Sequence, residues 1–224
     1  LIYYISNLKM IKISPSILSA DLFEIKSKVM ALDKAGVDYI HVDVMDGHYV
    51  QNITFGSNMV KSLRKITSKI LDVHLMIKPV KHYIEEFIEA GSDIITFHPE
   101  ADENSFEIID IINKNKVKAG IAIHPDINIS EIEKYLPKIQ QVIVMTVLPG
   151  FGGQKFMSNQ VYKIKELFDL RKINNFDYEI SVDGGISNLT ATECKNSGVD
   201  ILAVGSYLLN KDTLEYPNLI KSLK

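Results

Sequence analysis

Short apolar runs rich in β-branched residues alternate with amphipathic stretches from position 11 to the end of the chain. The runs are almost continuously hydrophobic, which is typical of parallel strands that are buried on both faces. The runs predicted as strands are residues 11–17, 38–44, 70–76, 93–99, 118–124, 141–147, 178–184 and 200–206. Between the runs, apolar residues recur with the period of a helix, so strands and helices are predicted to alternate.

Glycine marks the ends of several predicted helices. The stretch 21–36 begins near Asp21 and ends at Gly36, as expected of a capped helix, and the stretches 82–91 and 187–198 also end in glycine. Strand and helix together recur roughly every 30 residues, which predicts an α/β protein built as a (β/α)8 TIM barrel.

The barrel is predicted to occupy residues 10–224 as a single domain, with residues 1–9 as an N-terminal extension outside the fold. A doubly wound open sheet is the alternative architecture. It is disfavoured because SPSILSAD follows the first predicted strand, where that fold carries a glycine-rich G-x-G-x-x-G turn.

Four residues of the metal-binding types lie near the ends of predicted strands: His41, Asp43, His74 and Asp183. A charged side chain in a buried strand is costly unless it is paired or bound to a cation. Active sites of this fold lie at the carboxyl ends of the strands, so we expect the four side chains to converge at one mouth. Two imidazoles and two carboxylates suit one divalent ion, Zn or Fe(II) foremost, with Mn and Co as alternatives.

The two carboxylates suggest proton transfer at carbon. The second and seventh strands lie on roughly opposite sides of the ring, so Asp43 and Asp183 would face the two sides of a flat intermediate. One could remove a proton next to a carbonyl and the other return it, with the metal stabilising an enediolate. Met45, Met76 and Met145 share this rim, where they either fill the barrel or form a wall that excludes water.

Glycine-rich turns follow the sixth, seventh and eighth predicted strands, at residues 149–154, 183–188 and 205–206. Glycines let backbone N–H groups approach a phosphate closely, and the loops after the last two strands form the usual phosphate grip of this fold. The three turns together predict a phosphate-bearing ligand.

Composition and charge narrow the partners and the location. The net charge of −3 arises from mixed signs without a basic stripe, so nucleic acid is not an expected partner. The apolar runs are too short to span a membrane. Cys194 is the only cysteine, which excludes an internal disulfide and favours a cytoplasmic protein; we expect its thiol to be partly buried and inert.

Several motifs resemble the ribulose-phosphate 3-epimerase family. They are SPSILSADL (14–22), HVDVMDGHYVQNITFG (41–56), DVHLMI (72–77), ITFHPEA (95–101), MTVLPGFGGQKF (145–156), VDGGI (182–186) and VGS (204–206). The resemblance extends over essentially the whole chain from Met10, and the order and spacing of the motifs are highly specific. It implies a TIM-barrel isomerase that reversibly converts D-ribulose 5-phosphate to D-xylulose 5-phosphate in the pentose phosphate pathway.

The resemblance also implies roles for individual residues. His41, Asp43, His74 and Asp183 would bind the metal, and Asp43 and Asp183 would also act as the acid/base pair. The predicted substrate-contacting residues are Ser16, Met45, His74, Met76, Met145, Gly152, Gly153, Gly184, Gly185, Gly205 and Ser206.

Two positions depart from the family pattern. Leu148 stands where the family usually has Asn or an acidic residue before PGFGGQ, so a polar contact in the loop is expected to be missing. We expect this to affect loop closure or turnover rather than the type of reaction. His124 replaces a commoner Asn-Pro pair at the end of the fifth strand, with no expected catalytic effect.

Three other functions fit the sequence less well. A D-allulose-6-phosphate 3-epimerase would use the same chemistry on a longer sugar, but the intact NITFG and PGFGGQKF segments favour the pentose substrate. A phosphosugar lyase or decarboxylase would carry an Asp-x-Lys-x-x-Asp cluster, whereas residues 72–77 contain no lysine. A non-catalytic binding protein would not need two opposed carboxylates.

Barrel enzymes of this kind often self-associate, so we expect a homo-oligomer, either a dimer or a hexamer.

Overall fold

The strands of the computed structural model, which describes residues 10–224, agree with the predicted ones to within two residues at either end. They are β1 (Lys12–Pro15), β2 (Tyr39–Met45), β3 (Ile70–Met76), β4 (Ile94–Phe97), β5 (Lys118–Ile123), β6 (Gln141–Met145), β7 (Glu179–Asp183) and β8 (Ile201–Val204). The extension predicted for residues 1–9 lies outside the described residues.

Helices follow the strands as predicted. They are α1 (Ile25–Lys34), α2 (Ser57–Arg64), α3 (Ile84–Glu89), α4 (Ser105–Lys114), α5 (Ile129–Ile132), α6 (Val161–Asn174), α7 (Asn188–Asn196), α8 (Ser206–Leu209) and α9 (Tyr216–Leu223). None within residues 10–224 combines the length and hydrophobicity that a membrane crossing requires.

The glycines end the helices as predicted, but the start of α1 differs. Gly36, Gly91 and Gly198 follow α1, α3 and α7 with φ angles of +82°, +97° and +98°, which are left-handed conformations that glycine adopts without strain. Asp21 does not cap α1, because its carboxylate accepts a hydrogen bond from the N–H of Phe23 at 2.9 Å. That bond stabilises a turn before the helix, and α1 begins only at Ile25.

All eight strands are parallel, and they form one sheet in the order β1-β8-β7-β6-β5-β4-β3-β2. The sheet closes between β1 and β2, where Ser16 forms a parallel bridge with His41. The Asp38 N–H also donates to the Ile13 carbonyl at 3.1 Å. The chain is therefore a single-domain (β/α)8 TIM barrel, and the open-sheet alternative is wrong.

The interior of this barrel is unusually polar at its centre. Apolar side chains of the strands pack against the surrounding helices in one large core. Buried polar side chains on the strands are Ser14, His41, Asp43, Asp72, His74, Thr96, Gln141 and Ser181. Because side chains alternate along a strand, these residues point away from the helices and into the barrel. Polar groups buried at this density need partners or a ligand.

Cys194 gives a direct test of how tightly the outer helices pack. Its side chain is fully buried in α7, and burial raises the pKa of its thiol to about 12. Since the thiolate is the reactive form, the native protein should not react with a thiol reagent such as DTNB at pH 8. After unfolding in guanidinium, one thiol per chain should react. Rapid labelling of the native protein would contradict the packing of α7.

Candidate active site at the carboxyl ends of the strands

His41, Asp43, His74 and Asp183 meet at the mouth of the barrel, as the sequence predicts. One ligand atom from each lies within 4.8 Å of those of the others. Asp43 Oδ1 is 3.3 Å from His41 Nε2 and 3.1 Å from His74 Nδ1. Asp183 Oδ2 lies 4.0 Å and 3.8 Å from the same two nitrogen atoms.

The strand register explains this convergence. His41 and Asp43 are two residues apart on β2, so both side chains leave the same face. Asp43 is paired in register with His74 on the neighbouring strand β3, which makes the two side chains direct cross-strand neighbours. Asp183 is the last residue of β7 and approaches from another side of the ring.

The four groups shift one another's pKa values. Burial favours the neutral form of Asp43, but the neighbouring His41 and His74 outweigh burial and lower its pKa. Burial and the charge of Asp43 raise the pKa of Asp183 to about 6. Burial disfavours protonation of both imidazoles, yet the charges of Asp43 and Asp72 raise the pKa of His41, whereas the pKa of His74 stays lowered. The cluster is therefore strongly interacting.

One buried nitrogen of the cluster lacks a hydrogen-bond partner within residues 10–224, and a bound cation would coordinate it instead. His41 Nε2 is buried and has no hydrogen-bond partner among the described residues. It faces the oxygens of Asp43 and Asp183, and both His41 and His74 are fully buried. Two imidazole nitrogens and two carboxylates are a suitable donor set for a divalent transition metal. The cluster can therefore hold one metal ion.

Asp72 fixes the orientation of His41. Its Oδ2 lies 2.8 Å from His41 Nδ1, and its Oδ1 accepts a hydrogen bond from Gln141 Nε2 at 2.8 Å. A carboxylate at Nδ1 holds the proton on that nitrogen and leaves Nε2 as the atom that faces the site. Asp72 was not among the residues predicted for the site. Its position could have indicated the role, because it is a charged residue in a buried run, two residues before His74 and on the same face.

A cavity above the cluster brings together nearly all of the predicted substrate contacts. It is lined by both carboxylates and by Ser16, Met45, Met76, Met145, Gly152, Gly153, Gly184, Gly185, Gly205 and Ser206. His74 is fully buried and does not line the cavity. Ser19 also lines it, although this residue was not among the predicted substrate contacts.

The turn after β7 needs glycine at two positions. Gly184 has a φ of +118°, and a Cβ atom there would lie 2.5 Å from a methyl group of Val147. Gly185 has a φ of +66°, and a Cβ atom there would lie 2.7 Å from the backbone nitrogen of Phe156. The turns after β6 and β7 thus pack backbone against backbone, a closeness that only glycine permits.

The three methionines are buried and also line the cavity. Met45, Met76 and Met145 are 3%, 1% and 2% exposed, and each lines the cavity. They lie at the ends of β2, β3 and β6, next to the carboxylates. Their burial gives the cavity an apolar side, and the exclusion of water by this side stays a prediction.

Backbone contacts hold the loop that contains Leu148. Gln154 Nε2 donates to the carbonyl oxygens of Leu148 and Phe151 at 2.7 and 2.8 Å, and Asn52 Nδ2 donates to the Gly150 carbonyl at 2.6 Å. The Leu148 side chain is half exposed. The expected effect of Leu148 on loop closure or turnover stays a prediction. His124 is partly exposed at the rim, and its expected lack of effect on catalysis also stays a prediction.

Comparisons of the whole sequence agree with this geometry. A model of the ribulose-phosphate 3 epimerase family matches residues 12–209. The ribulose-phosphate 3-epimerase of Bacillus subtilis is 42% identical over 198 residues, covering 88% of this chain and 91% of that protein. The Escherichia coli ribulose-phosphate 3-epimerase is 38% identical over 219 residues, covering 97% of this chain and 96% of that protein.

Solved structures show the same fold at low sequence identity. A 3-keto-L-gulonate-6-phosphate decarboxylase from Vibrio cholerae superposes with a TM-score of 0.72 at 17% identity, covering 95% of each chain. A tryptophan synthase alpha subunit from Legionella pneumophila gives 0.63 at 16% identity, covering 95% of this chain and 90% of the other. At these identities the likeness concerns the barrel alone.

The role of Asp72 can be tested through metal affinity. The substitution Asp72→Asn keeps the shape of the side chain but removes the charge that orients His41. We expect the dissociation constant for Zn, measured by competition with a chelator, to rise about 10–100-fold. Asp38→Asn, at the opposite end of the barrel, should leave the constant unchanged. Equal affinities for wild type and Asp72→Asn would contradict the orienting role.

The turn at Gly185 gives a second test. Gly185→Ala would place a methyl group against the Phe156 backbone and would strain a residue with positive φ. We expect the KM for a phosphorylated substrate to rise by about tenfold or more, because strain of roughly 1–3 kcal/mol forces the turn to move. Gly36→Ala, which also has positive φ but has open space around it, should lower stability with little change in KM. A similar KM for Gly185→Ala and wild type would exclude close packing at this turn.

Proposed function

The chain belongs to the ribulose-phosphate 3-epimerase family, and from this premise we propose that it interconverts D-ribulose 5-phosphate and D-xylulose 5-phosphate by a metal-dependent, two-base proton transfer at C3. The proteins that establish the membership are named as epimerases, so the chain is an isomerase. The observation that carries the mechanism is that Asp43 and Asp183, on separate strands, line one cavity above two buried imidazoles.

Each proposed base is held in place by its surroundings. Ser16 Oγ donates to Asp43 Oδ2 at 2.5 Å, while the other oxygen of Asp43 faces the two imidazoles. Thr146 Oγ1 donates to the backbone carbonyls of Asp183 and Gly184 at 3.0 and 2.7 Å, which anchors the end of β7. Fixed carboxylates on two sides of the cavity suit removal of the C3 proton from one face and delivery of a proton to the other.

His41, Asp43, His74 and Asp183 would hold the metal, for which we propose Zn or Fe(II), with Mn or Co as alternatives. When bound, the ion supplies a Lewis acid that polarises the substrate carbonyl and stabilises the enediolate. The orphaned nitrogen of His41 and the mixed imidazole and carboxylate donors support this assignment.

The glycine-rich turns would bind the phosphate. Gly152 and Gly153 belong to the loop after β6, and the turns after β7 and β8 complete the same lining. Backbone N–H groups can approach an anion closely where glycine carries no side chain. Asp43 and Asp183 also line this cavity, so a short phosphosugar anchored at the turns would place its carbonyl region near the carboxylates.

The methionine wall would protect the intermediate. Met45, Met76 and Met145 bury apolar surface beside both carboxylates, which limits the water that could exchange with the transferred proton. Leucine at these positions would keep the hydrophobicity but not the flexible shape of methionine.

Two other activities are less well supported. D-allulose 6-phosphate would require room for one more carbon, and it is the natural second substrate to test. The lyase or decarboxylase chemistry of related barrels is disfavoured because His74, not a lysine, occupies the middle of residues 72–77 and joins the ligand cluster.

We further propose that the enzyme acts in the cytoplasm as a homo-oligomer, either a dimer or a hexamer.

Proton NMR in D2O tests the proposed reaction. With D-ribulose 5-phosphate and metal-loaded protein, we expect D-xylulose 5-phosphate to appear with deuterium at C3. Removal of the metal by a chelator should abolish both conversion and exchange, and readdition of Zn, Fe(II), Mn or Co should show which ion restores the rate.

The same experiment separates the alternatives. Exchange with D-allulose 6-phosphate but not with the pentose would support the alternative substrate. Conversion that is unchanged after complete metal removal would contradict the metal role. A folded, metal-replete protein that gives no exchange at C3 with either sugar would contradict the epimerase mechanism.

A further inference from the structure

Three side chains connect His74 to the rim of the barrel. His74 Nε2 lies 3.0 Å from Nε2 of His98, and both rings are fully buried. His98 Nδ1 lies 3.4 Å from Glu100 Oε1, and the same oxygen accepts a hydrogen bond from the Tyr49 hydroxyl at 2.7 Å. The Tyr49 ring also packs on His98, with 4.7 Å between the ring centroids. We call His98, Glu100 and Tyr49 the rim chain.

The contact between two imidazole nitrogens requires one proton between them. His74 Nδ1 faces the carboxylates of Asp43 and Asp183, so this nitrogen is the one directed into the ligand cluster. A metal-binding nitrogen carries a lone pair, which leaves the proton of the neutral ring on the other nitrogen, Nε2. His74 Nε2–H then donates to His98 Nε2.

This arrangement also fixes the tautomer of His98. If His98 Nε2 accepts, the neutral ring must carry its proton on Nδ1. His98 Nδ1 is buried and has no partner that meets hydrogen-bond geometry within residues 10–224, and the Glu100 carboxylate is the charged acceptor beside it. The Tyr49 hydroxyl holds that carboxylate in position.

We propose that His98 is a positioning residue for the metal site, which sets the tautomer and ring orientation of His74, with Glu100 and Tyr49 setting the tautomer of His98. The inference rests on the proposed metal role of His74. It assigns a function to a fully buried histidine that was not among the residues predicted for the site.

The rim chain makes the two imidazole ligands unequal. Asp72, a carboxylate, contacts His41 Nδ1 at 2.8 Å, whereas a neutral imidazole contacts His74. A charged partner increases the basicity of a ligand more than a neutral one does. His98 would therefore orient His74 but would strengthen it as a metal ligand less than Asp72 strengthens His41.

A purely structural role would not explain the positions of these groups. His98 follows the last residue of β4 at the mouth of the barrel, where an apolar residue could fill the space without the cost of burying two ring nitrogens. Glu100 lies in the short helical turn that follows at once, and Tyr49 comes from the loop after β2. Two separate segments, residues 98–100 and the loop after β2, thus converge on one imidazole contact.

The tautomers can be read directly by long-range 1H–15N NMR of the full-length, zinc-loaded protein labelled with 15N-histidine. We expect a proton on Nε2 of His74 and on Nδ1 of His98, with zinc shifting His41 and His74. A proton on Nε2 of His98 with zinc bound would overturn the positioning role of the rim chain but would leave the proposed metal site intact. Failure of zinc to shift His41 and His74 would contradict the metal site itself, and the positioning role with it.

Variants supply an independent measurement. His98→Leu removes the acceptor, and we expect its zinc dissociation constant to rise about 10–100-fold. His98→Gln offers a carbonyl oxygen near the position of Nε2 and should recover most of the affinity. His124→Leu is the matched control, because His124 follows β5 as His98 follows β4 but does not contact His74.

The pattern of results separates positioning from stability. The proposal expects zinc affinity to fall in His98→Leu and to recover in His98→Gln, even when both variants unfold at similar temperatures. A lower unfolding temperature with unchanged zinc affinity in His98→Leu would show that His98 only supports the fold, which overturns the proposal.

Discussion

The burial of two carboxylates and two imidazoles in one space is the constraint on which the rest of this structure depends. Asp43, His41 and His74 are at most 3% exposed, and removing charged groups from water is expensive unless they are paired closely. The pairing here is close but incomplete, since one nitrogen of His41 keeps no partner among the described residues. A divalent cation would complete it. This polar centre is costly without a cation, and a bound divalent ion would stabilise the folded protein by mass action.

The surroundings of the cluster follow from that constraint. Each imidazole must be held in one tautomer, and two different devices do this, a carboxylate from Asp72 at His41 and the rim chain at His74. The strand register places Asp43 opposite His74, so ligands distant in sequence become neighbours without help from the loops. In the proposed function the loops bind the substrate, and the tight glycine turns after β7 and β8 put backbone rather than side chains at the cavity. This division between a rigid strand-borne centre and a loop-borne anion site is general for the fold.

Much of this could be predicted from the sequence, and the exceptions have physical causes. Buried parallel strands and glycine helix ends produce strong local patterns, so the eight strands and the convergence of the four ligands were predictable. The start of α1 was not, because Asp21 can serve either a helix or a turn and only the folded chain chooses. The contact of His74 with His98 depends on how two strand ends approach each other, and no spacing encodes it. The role of Asp72 could have been predicted, since an acidic residue in a buried run needs a partner.

The central claim is that Asp43 and Asp183 transfer protons on opposite faces of one intermediate. The most direct test is to measure C3 deuterium exchange for Asp43→Asn and Asp183→Asn separately, starting from each pure epimer, at metal concentrations that saturate each variant. A remaining base can still remove and return a proton on its own face. The account predicts that interconversion is lost in both variants, while each retains exchange with one epimer, and that the retained epimers are opposite. Exchange with the same epimer in both variants, or interconversion that persists in either, would contradict it.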